Sequence, residues 1–433
     1  MTDPVTHAQL ILLARTLHVP PQRIAHLERL GAQNLHEIQQ RMAAIIFDRH
    51  AETFRRISRL VPIIPLGISM PLVQKIVPPT LTGRAAGAVG VDHPRKAAET
   101  VALLKVDYAA DCAPFLDPRT VGELADIAPP EPIVHIVNEI LRRRDYITAG
   151  PFLGYATTPL IEAVERGVPD DEGLIYSASF AYSTDALTSV LRHLLTGPGN
   201  RMPAMMRTVL RGSPELQVAT LSILSRCDRG IVGAVGDIAI GIGSRTELCN
   251  LVITAINRGA VADLAAFLTT LPAHALATVA ALPVFAEAAV PAALLRALDA
   301  HSAPRWWQGV FAVLARTDIA LRPMLALTIA QQHDALVAGL PDHATEADLW
   351  PVLLDIVAAG DRAVQTRIGS IWATLPPERR AVVQRHLSEH RDILRLTSLI
   401  EAVSAGSVTV EEVFYRRRQL GRRRGVAHGW ERH

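Results

Sequence analysis

Lysine is almost absent from this chain: Lys75, Lys96 and Lys105 are the only three among 44 basic residues. A phosphate-binding loop needs Gly-Lys-Ser/Thr, but the residues before these lysines are Gln74, Arg95 and Leu104, so that loop is excluded. Cysteine is as scarce. Cys112, Cys227 and Cys249 lie far apart with no CxxC pair, which argues against a zinc ribbon or a disulfide framework and fits a reducing compartment. There is no Gly-x-Ser-x-Gly elbow and no kinase-type motif set. The stretch from Gly230 to Gly243 is the richest in glycine, but Gly241-Ile242-Gly243 lacks the third glycine of a dinucleotide fingerprint. It reads as close packing of a helix on small residues. No cofactor is expected.

Aromatic residues make up 5% of the 433 residues while 49% are hydrophobic, so the apolar content is Ala, Leu, Val and Ile. The first two are strong helix formers. A net charge of +2 gives no strong pull toward nucleic acid or acidic membranes. Charged residues at 20% argue against a mainly disordered chain. The run from Leu60 to Leu81 has Lys75 as its only charge, but it contains Pro62, Pro65, Pro71, Pro78 and Pro79, which a membrane-spanning helix does not accommodate. The first 17 residues carry Asp3 and His7 and no basic segment of a signal peptide. A soluble, cytoplasmic protein is expected.

What the chain does have is helical periodicity. Ile133, Ile136, Val137, Ile140 and Leu141 follow i, i+3, i+4, i+7, i+8, as do Leu187, Val190, Leu191, Leu194 and Leu195. Helix starts are marked by Asp117-Pro118, Thr158-Pro159 and Ser213-Pro214, each a capping oxygen before a proline at the first helical position. Ser244 with Glu247, Thr345 with Asp348, and Thr409 with Glu412 have the spacing of capping boxes.

An internal echo adds a longer period. Asp107-Tyr108 and Pro114-Phe115-Leu116 recur as Asp145-Tyr146 and Pro151-Phe152-Leu153, offset by 38 and then 37 residues. A weaker relative is Asp263-Leu264, Phe267-Leu268 and Pro272. A period of this size indicates stacked helical repeats. The fold expected is all-α, a superhelical stack of short antiparallel helix pairs, an α-solenoid of HEAT-like type. The divisions are 1–105, an N-terminal helical region with the Pro-rich apolar run; 106–260, the clearest repeats; 261–405, Ala-rich repeats; and 406–433, a basic helix (Val410 to Leu420) and tail. The echo phenylalanines read as inward packing residues, for which Phe152→Ala would cost about 3–5 kcal/mol.

Leu116-Asp117-Pro118, running to Leu124 and Ala128-Pro129-Pro130, resembles the short helical repeats in the cytosolic N-terminal domain of MgtE-type magnesium transporters. The resemblance covers residues 106–165. It implies a superhelical fold and carries over no magnesium site.

Chemistry is sparse. His386, Glu389 and His390 form His-x-x-Glu-His, the inverted zinc-peptidase pattern, but the acids after Asp392 are only Glu401, Glu411, Glu412 and Glu431, and arginines flank the motif as on a solvated helix face. No metal site is assigned. Asp170, Asp171 and Glu172 sit where acids favour a helix N-terminus. Trp306-Trp307 is the densest aromatic site and reads as buried packing. Arg416, Arg417, Arg418, Arg422, Arg423 and Arg424 place six charges in nine residues, a cluster suited to the phosphates of nucleic acid or anionic lipid. In a chain that uses arginine for almost every positive charge, the cluster carries less weight. Phe54, Ile57, Ile63, Ile64, Ile68, Met70, Leu72 and Ile76 form an apolar series that either packs the first repeats or meets a lipid. The expectation is a non-enzymatic interaction protein whose concave surface engages a protein partner. The alternatives are an apolar-ligand carrier or membrane-surface module, and anion binding by the Arg-rich tail.

Overall fold

A computed structural model describes residues 4–60, 66–116, 118–298, 304–390 and 393–405. Among the described residues every regular element is helical, and no strand occurs. The chain divides into two compact units, Met1–Ala260 and Val261–His433. Within each, a helix packs mainly against the second-next helix along the chain. Pro214–Leu224 lies on Arg245–Asn257, Met202–Arg211 on Arg229–Ile242, and Arg362–Ala373 on Thr397–Ala405. This alternation makes two layers of short helices. The all-α helical stack read from the sequence is thus the fold.

Local chemistry explains the helix starts. Ser213 accepts from the Leu216 amide at 3.2 Å with Pro214 in the first turn, and Asp170 accepts from the Gly173 amide at 2.8 Å. Ser244 and Glu247 form a reciprocal capping box: the Glu247 amide donates to Ser244 Oγ, and the Ser244 amide donates to Glu247 Oε2 at 2.8 Å. Two expected caps do not form. Thr158 is already inside Thr158–Gly167, whose capping position is Thr157, with no side-chain bond. Thr345 lies within Asp334–Glu346 and donates to the Pro341 carbonyl at 2.8 Å, a back-bond that takes its hydroxyl away from any cap. Asp117 and the Thr409–Glu412 pair fall outside the described residues.

The echo is a structural repeat. Short helices Val106–Cys112 and Tyr146–Ala149 each run into a 3-10 turn, Ala113–Phe115 and Gly150–Tyr155. Gly83 packs so closely on the first turn that a Cβ would stand 2.6 Å from the Cys112 carbonyl and 2.9 Å from Phe115 Cβ. Gly150 repeats this contact on Ser177 and Phe180, at 2.9 and 3.2 Å. The third member of the series is therefore Phe180. Phe267 lies inside helix Val261–Leu268 and is not equivalent.

Arginine carries much of the link between repeats. Arg143 donates to Asp111 at 2.5 Å, Arg226 to the carbonyls of Ala181 and Ser179 at 2.7 and 3.1 Å, and Arg211 to Glu247 at 2.9 Å. Arg367 reaches Asp334 in the same way, and Arg379 reaches Asp342. Each of these pairs is separated by 32–47 residues, about one repeat.

The second unit has its own repeated device. Trp307 stacks on His343, and Trp350 on His386, both with ring centroids 4.6 Å apart and planes inclined by 15°. Trp372 lies edge-on to Trp350 and donates its indole N–H to the Val337 carbonyl at 2.8 Å. Trp307, Trp372, Phe285 and Phe311 are among the largest fully buried side chains.

Candidate functional site

Between the helix layers of the first unit runs an apolar channel of about 670 Å³. Its walls come from successive helices between Leu66 and Leu224, so it follows the stack. The sequence opens it by placing alanines such as Ala85, Ala86, Ala125, Ala149 and Ala178 at positions facing the space, alongside Leu, Ile and Val. These side chains are too short to fill it. Ile133, Ile136, Val137, Leu160 and Leu174 line the channel and stay only half-buried. A volume of this size lies within the range of about 300–1,000 Å³ usual for ligand pockets.

A second, more polar cleft of about 360 Å³ lies beside it. One wall is formed by Pro4–Leu17 and Gly31–Leu60, and the other by the three repeat turns around Phe115, Phe152 and Tyr182. Arg15 donates to Thr148 Oγ1 at 2.6 Å and to Asp145 Oδ1 at 3.0 Å, which ties the N-terminal helix to the second echo copy. His36 stacks on Tyr182 at 4.1 Å between centroids, with Nδ1 3.1 Å from Gln9 Oε1. Burial lowers the His36 pKa, and Glu37 only partly opposes this. Ala113, Leu116, Phe152 and Tyr155 line both spaces and form the partition between them.

Cys112 also lines the channel, and its thiol is pushed up to about 12, first by burial and then by Asp111. It is therefore inert as a nucleophile. The channel meets one buried carboxylate, Glu165, whose side chain is 6% exposed.

The residues singled out in the sequence fall in different places. Of the apolar series, Met70 lines the channel together with Leu66 and Val73 from the same helix, Leu66–Ile76. Leu72 and Ile76 do not: they lie 59% and 68% exposed. Helical geometry separates them, because two residues of advance turn a side chain about 200° around the axis. Phe54, Ile57 and Ile68 lie on helices whose backbone is described while their side chains are not, and Ile63 and Ile64 fall outside the described residues, as do Arg416, Arg417, Arg418, Arg422, Arg423 and Arg424. The inverted zinc pattern is taken up by packing. His386 stacks on Trp350, and His390 stands 3.2 Å from Asp355. Among the described residues no group of three or more His, Cys, Asp or Glu is placed to hold a metal ion. Asp170 is a helix cap and Asp171 pairs with Arg201 at 2.7 Å. Of Trp306-Trp307, read from the sequence as buried packing, Trp307 is buried and Trp306 half-buried.

Sequence reasoning missed the channel, Glu165 and the polar cleft. The signal available was weak: a long stretch of helices rich in Ala and without tryptophan. No helix among the described residues is long and apolar enough to cross a membrane. Comparison with family models, curated proteins and solved structures finds no match, so the site is read from its own geometry.

Proposed function

We propose that the protein is a non-enzymatic binding protein whose first unit takes up an apolar, chain-like small molecule in the interlayer channel. The observation that carries this reading is the channel's lining, nearly all apolar, with Ile133, Ile136, Val137 and Leu160 half-buried. Soluble proteins rarely leave so much contiguous apolar surface in reach of solvent unless something covers it. Leu81, lining the channel while 50% exposed, marks a rim through which a ligand enters. A cytoplasmic setting belongs to the same proposal and rests on three cysteines that are all free.

Fluorescence titration of the full chain with N-phenyl-1-naphthylamine, an uncharged apolar probe, tests this. Saturable binding is expected, and Ala178→Trp, which fills the channel, is expected to abolish it without lowering the melting temperature. No saturable binding, or binding unchanged in a folded Ala178→Trp variant, would sink the proposal.

A second reading is a protein partner on the second unit. It draws on Ile319 and Leu327, which leave 69% and 45% of their surface in solvent on a 3-10 turn and the helix that follows it. A pull-down that Ile319→Asp disrupts, with probe binding intact, would support it.

A further inference from the structure

The polar cleft carries a charge that its own side chains leave unbalanced. Arg15 and Arg84 are among its described lining residues, and no Asp or Glu is. Arg15 is engaged, donating to Asp145 at 3.0 Å and to Thr148 at 2.6 Å. Arg84, on helix Pro79–Asp92, lines the cleft while half-buried, and it has no ion-pair or hydrogen-bond partner among the described residues. Its charge is felt by His18, whose pKa is held below the usual value first by burial and then by Arg84. A guanidinium drawn partly out of water without a counter-charge is unfavourable, and an anion that reaches it removes that cost. The cleft is also rich in rings. Aromatic residues make up 5% of the chain, yet Phe115, Phe152, Tyr155 and Tyr182 all line this one space, and all four are half-buried. Gly154 lines it too, and a Cβ there would meet nothing within 4 Å, so the space is open beside the second repeat turn. The volume of about 360 Å³ suits a small organic molecule.

One unpaired cation calls for one negative charge. A carboxylate matches the guanidinium fork with two parallel hydrogen bonds. A phosphate dianion brings a second charge that no described lining residue offsets, and an ammonium brings like charge against Arg84. Half-buried rings in turn favour a ligand that stacks or meets them edge-on. We infer that the polar cleft is a binding site for a small aromatic carboxylate, whose acid group pairs with Arg84 and whose ring lies against the aromatic wall. Ala113, Leu116, Phe152 and Tyr155 separate this cleft from the channel, so occupation of one does not depend on the other.

Titration calorimetry of the full chain with 2-naphthoate tests this. Saturable binding is expected, with the uncharged 2-naphthamide about tenfold weaker, as the loss of one hydrogen bond between charged groups implies. Decahydro-2-naphthoate keeps the charge and the heavy-atom count but has no aromatic ring, and it is expected to bind more weakly than 2-naphthoate. Arg84→Met is expected to remove the preference for 2-naphthoate over 2-naphthamide and to leave the melting temperature unchanged, because Arg84 has no partner to lose. Arg84→Lys, which keeps the charge but not the fork, is expected to restore part of the preference. Binding of 2-naphthoate should persist in Ala178→Trp and in the presence of N-phenyl-1-naphthylamine, which separates this site from the channel. No saturable binding overturns the assignment, as do equal affinities for 2-naphthoate and 2-naphthamide or a preference that survives Arg84→Met. Tighter binding of 2-naphthyl phosphate overturns the choice of a carboxylate, and equal or tighter binding of decahydro-2-naphthoate overturns the choice of a ring. If 2-naphthoate is displaced by N-phenyl-1-naphthylamine or lost in folded Ala178→Trp, it occupies the channel; the cleft assignment then fails and the channel reading stands.

Discussion

The two units use one building scheme to opposite ends. In the second, large rings occupy the space between helices: Trp307, Trp372, Phe285 and Phe311 are almost wholly buried, and the Trp–His stacks repeat with the same geometry. In the first, the space between layers is faced mostly by alanines and aliphatic side chains, with Phe152 and Tyr155 at the partition, and a channel of about 670 Å³ stays open. The backbone pattern is common to both, so side-chain volume decides whether a helical stack becomes a packed core or a container. Close packing normally leaves few voids larger than a water molecule, which makes the first unit the exception that needs a function.

The largest effect that can test this contrast is Trp372→Ala. It removes a fully buried ring and orphans the Val337 carbonyl, and should cost about 3–5 kcal/mol in urea unfolding followed by circular dichroism. Val137→Ala in the channel wall, where the side chain already borders open space, should cost under about 1 kcal/mol by the same measurement, because little additional cavity is made. Equal losses at the two sites would erase the distinction.

Next in size is Arg201→Ala, expected to cost about 3 kcal/mol because it leaves Asp171 buried and unpaired; the two side chains are 11% and 17% exposed. The exposed Arg367–Asp334 pair in the second unit makes the counterpart, and Arg367→Ala should cost about 0–1 kcal/mol. Smaller again is Phe152→Ala. The sequence suggests a full core cavity, but the half-buried ring sits on the partition, so a loss of about 1–2 kcal/mol is expected. The informative readout is the probe, which should then reach the polar cleft and change its emission. A loss of 3 kcal/mol or more, with emission unchanged, would return Phe152 to the core.

The gentlest test is acid. Glu139 is held down to about 2 by hydrogen bonds from Arg142 and Arg143, and Glu247 to about 2 by the Ser244 amide and hydroxyl and by Arg211. Both lie in the first unit. A carboxyl depressed in the folded state binds its proton more readily when unfolded, where the value is 4.5, so its contribution is complete above that pH and is lost on the way down to about 2. A melting temperature that is flat between pH 5 and about 2 would contradict this. His36 and His386, both lowered first by burial, should begin to weaken the fold earlier, as pH falls below 6.5.

Much of the architecture was legible in the sequence, because helix signals are local. Ser213-Pro214 and the Ser244–Glu247 box act through neighbours three residues away, and the apolar spacing of residues 133–141 needs no tertiary context. The Pro-Phe-Leu echo was readable for the same reason, as a repeated turn. Its third member was not, because Phe180 has neither the proline nor the leucine and is recognised only through its contact with Gly150. The Trp–His stacks join residues 36 apart, and their spacing carries no motif until the rings are seen face to face. The candidate site was the least legible part. A channel is defined by side chains that are missing, and Glu165 is notable only because nothing reaches its Oε1. Thr345 misled because a threonine's hydroxyl bonds backward within a helix as readily as it caps one.

The uneven placement of the rings has a practical consequence. All five tryptophans, Trp306, Trp307, Trp350, Trp372 and Trp430, fall after residue 260. Intrinsic indole emission is therefore a local reporter, sensitive to one unit, while backbone dichroism averages over both. Recording the two signals in one denaturant titration resolves the order in which the units melt, with no label attached. Any ligand of the first unit should then displace the dichroism curve and leave the emission curve in place.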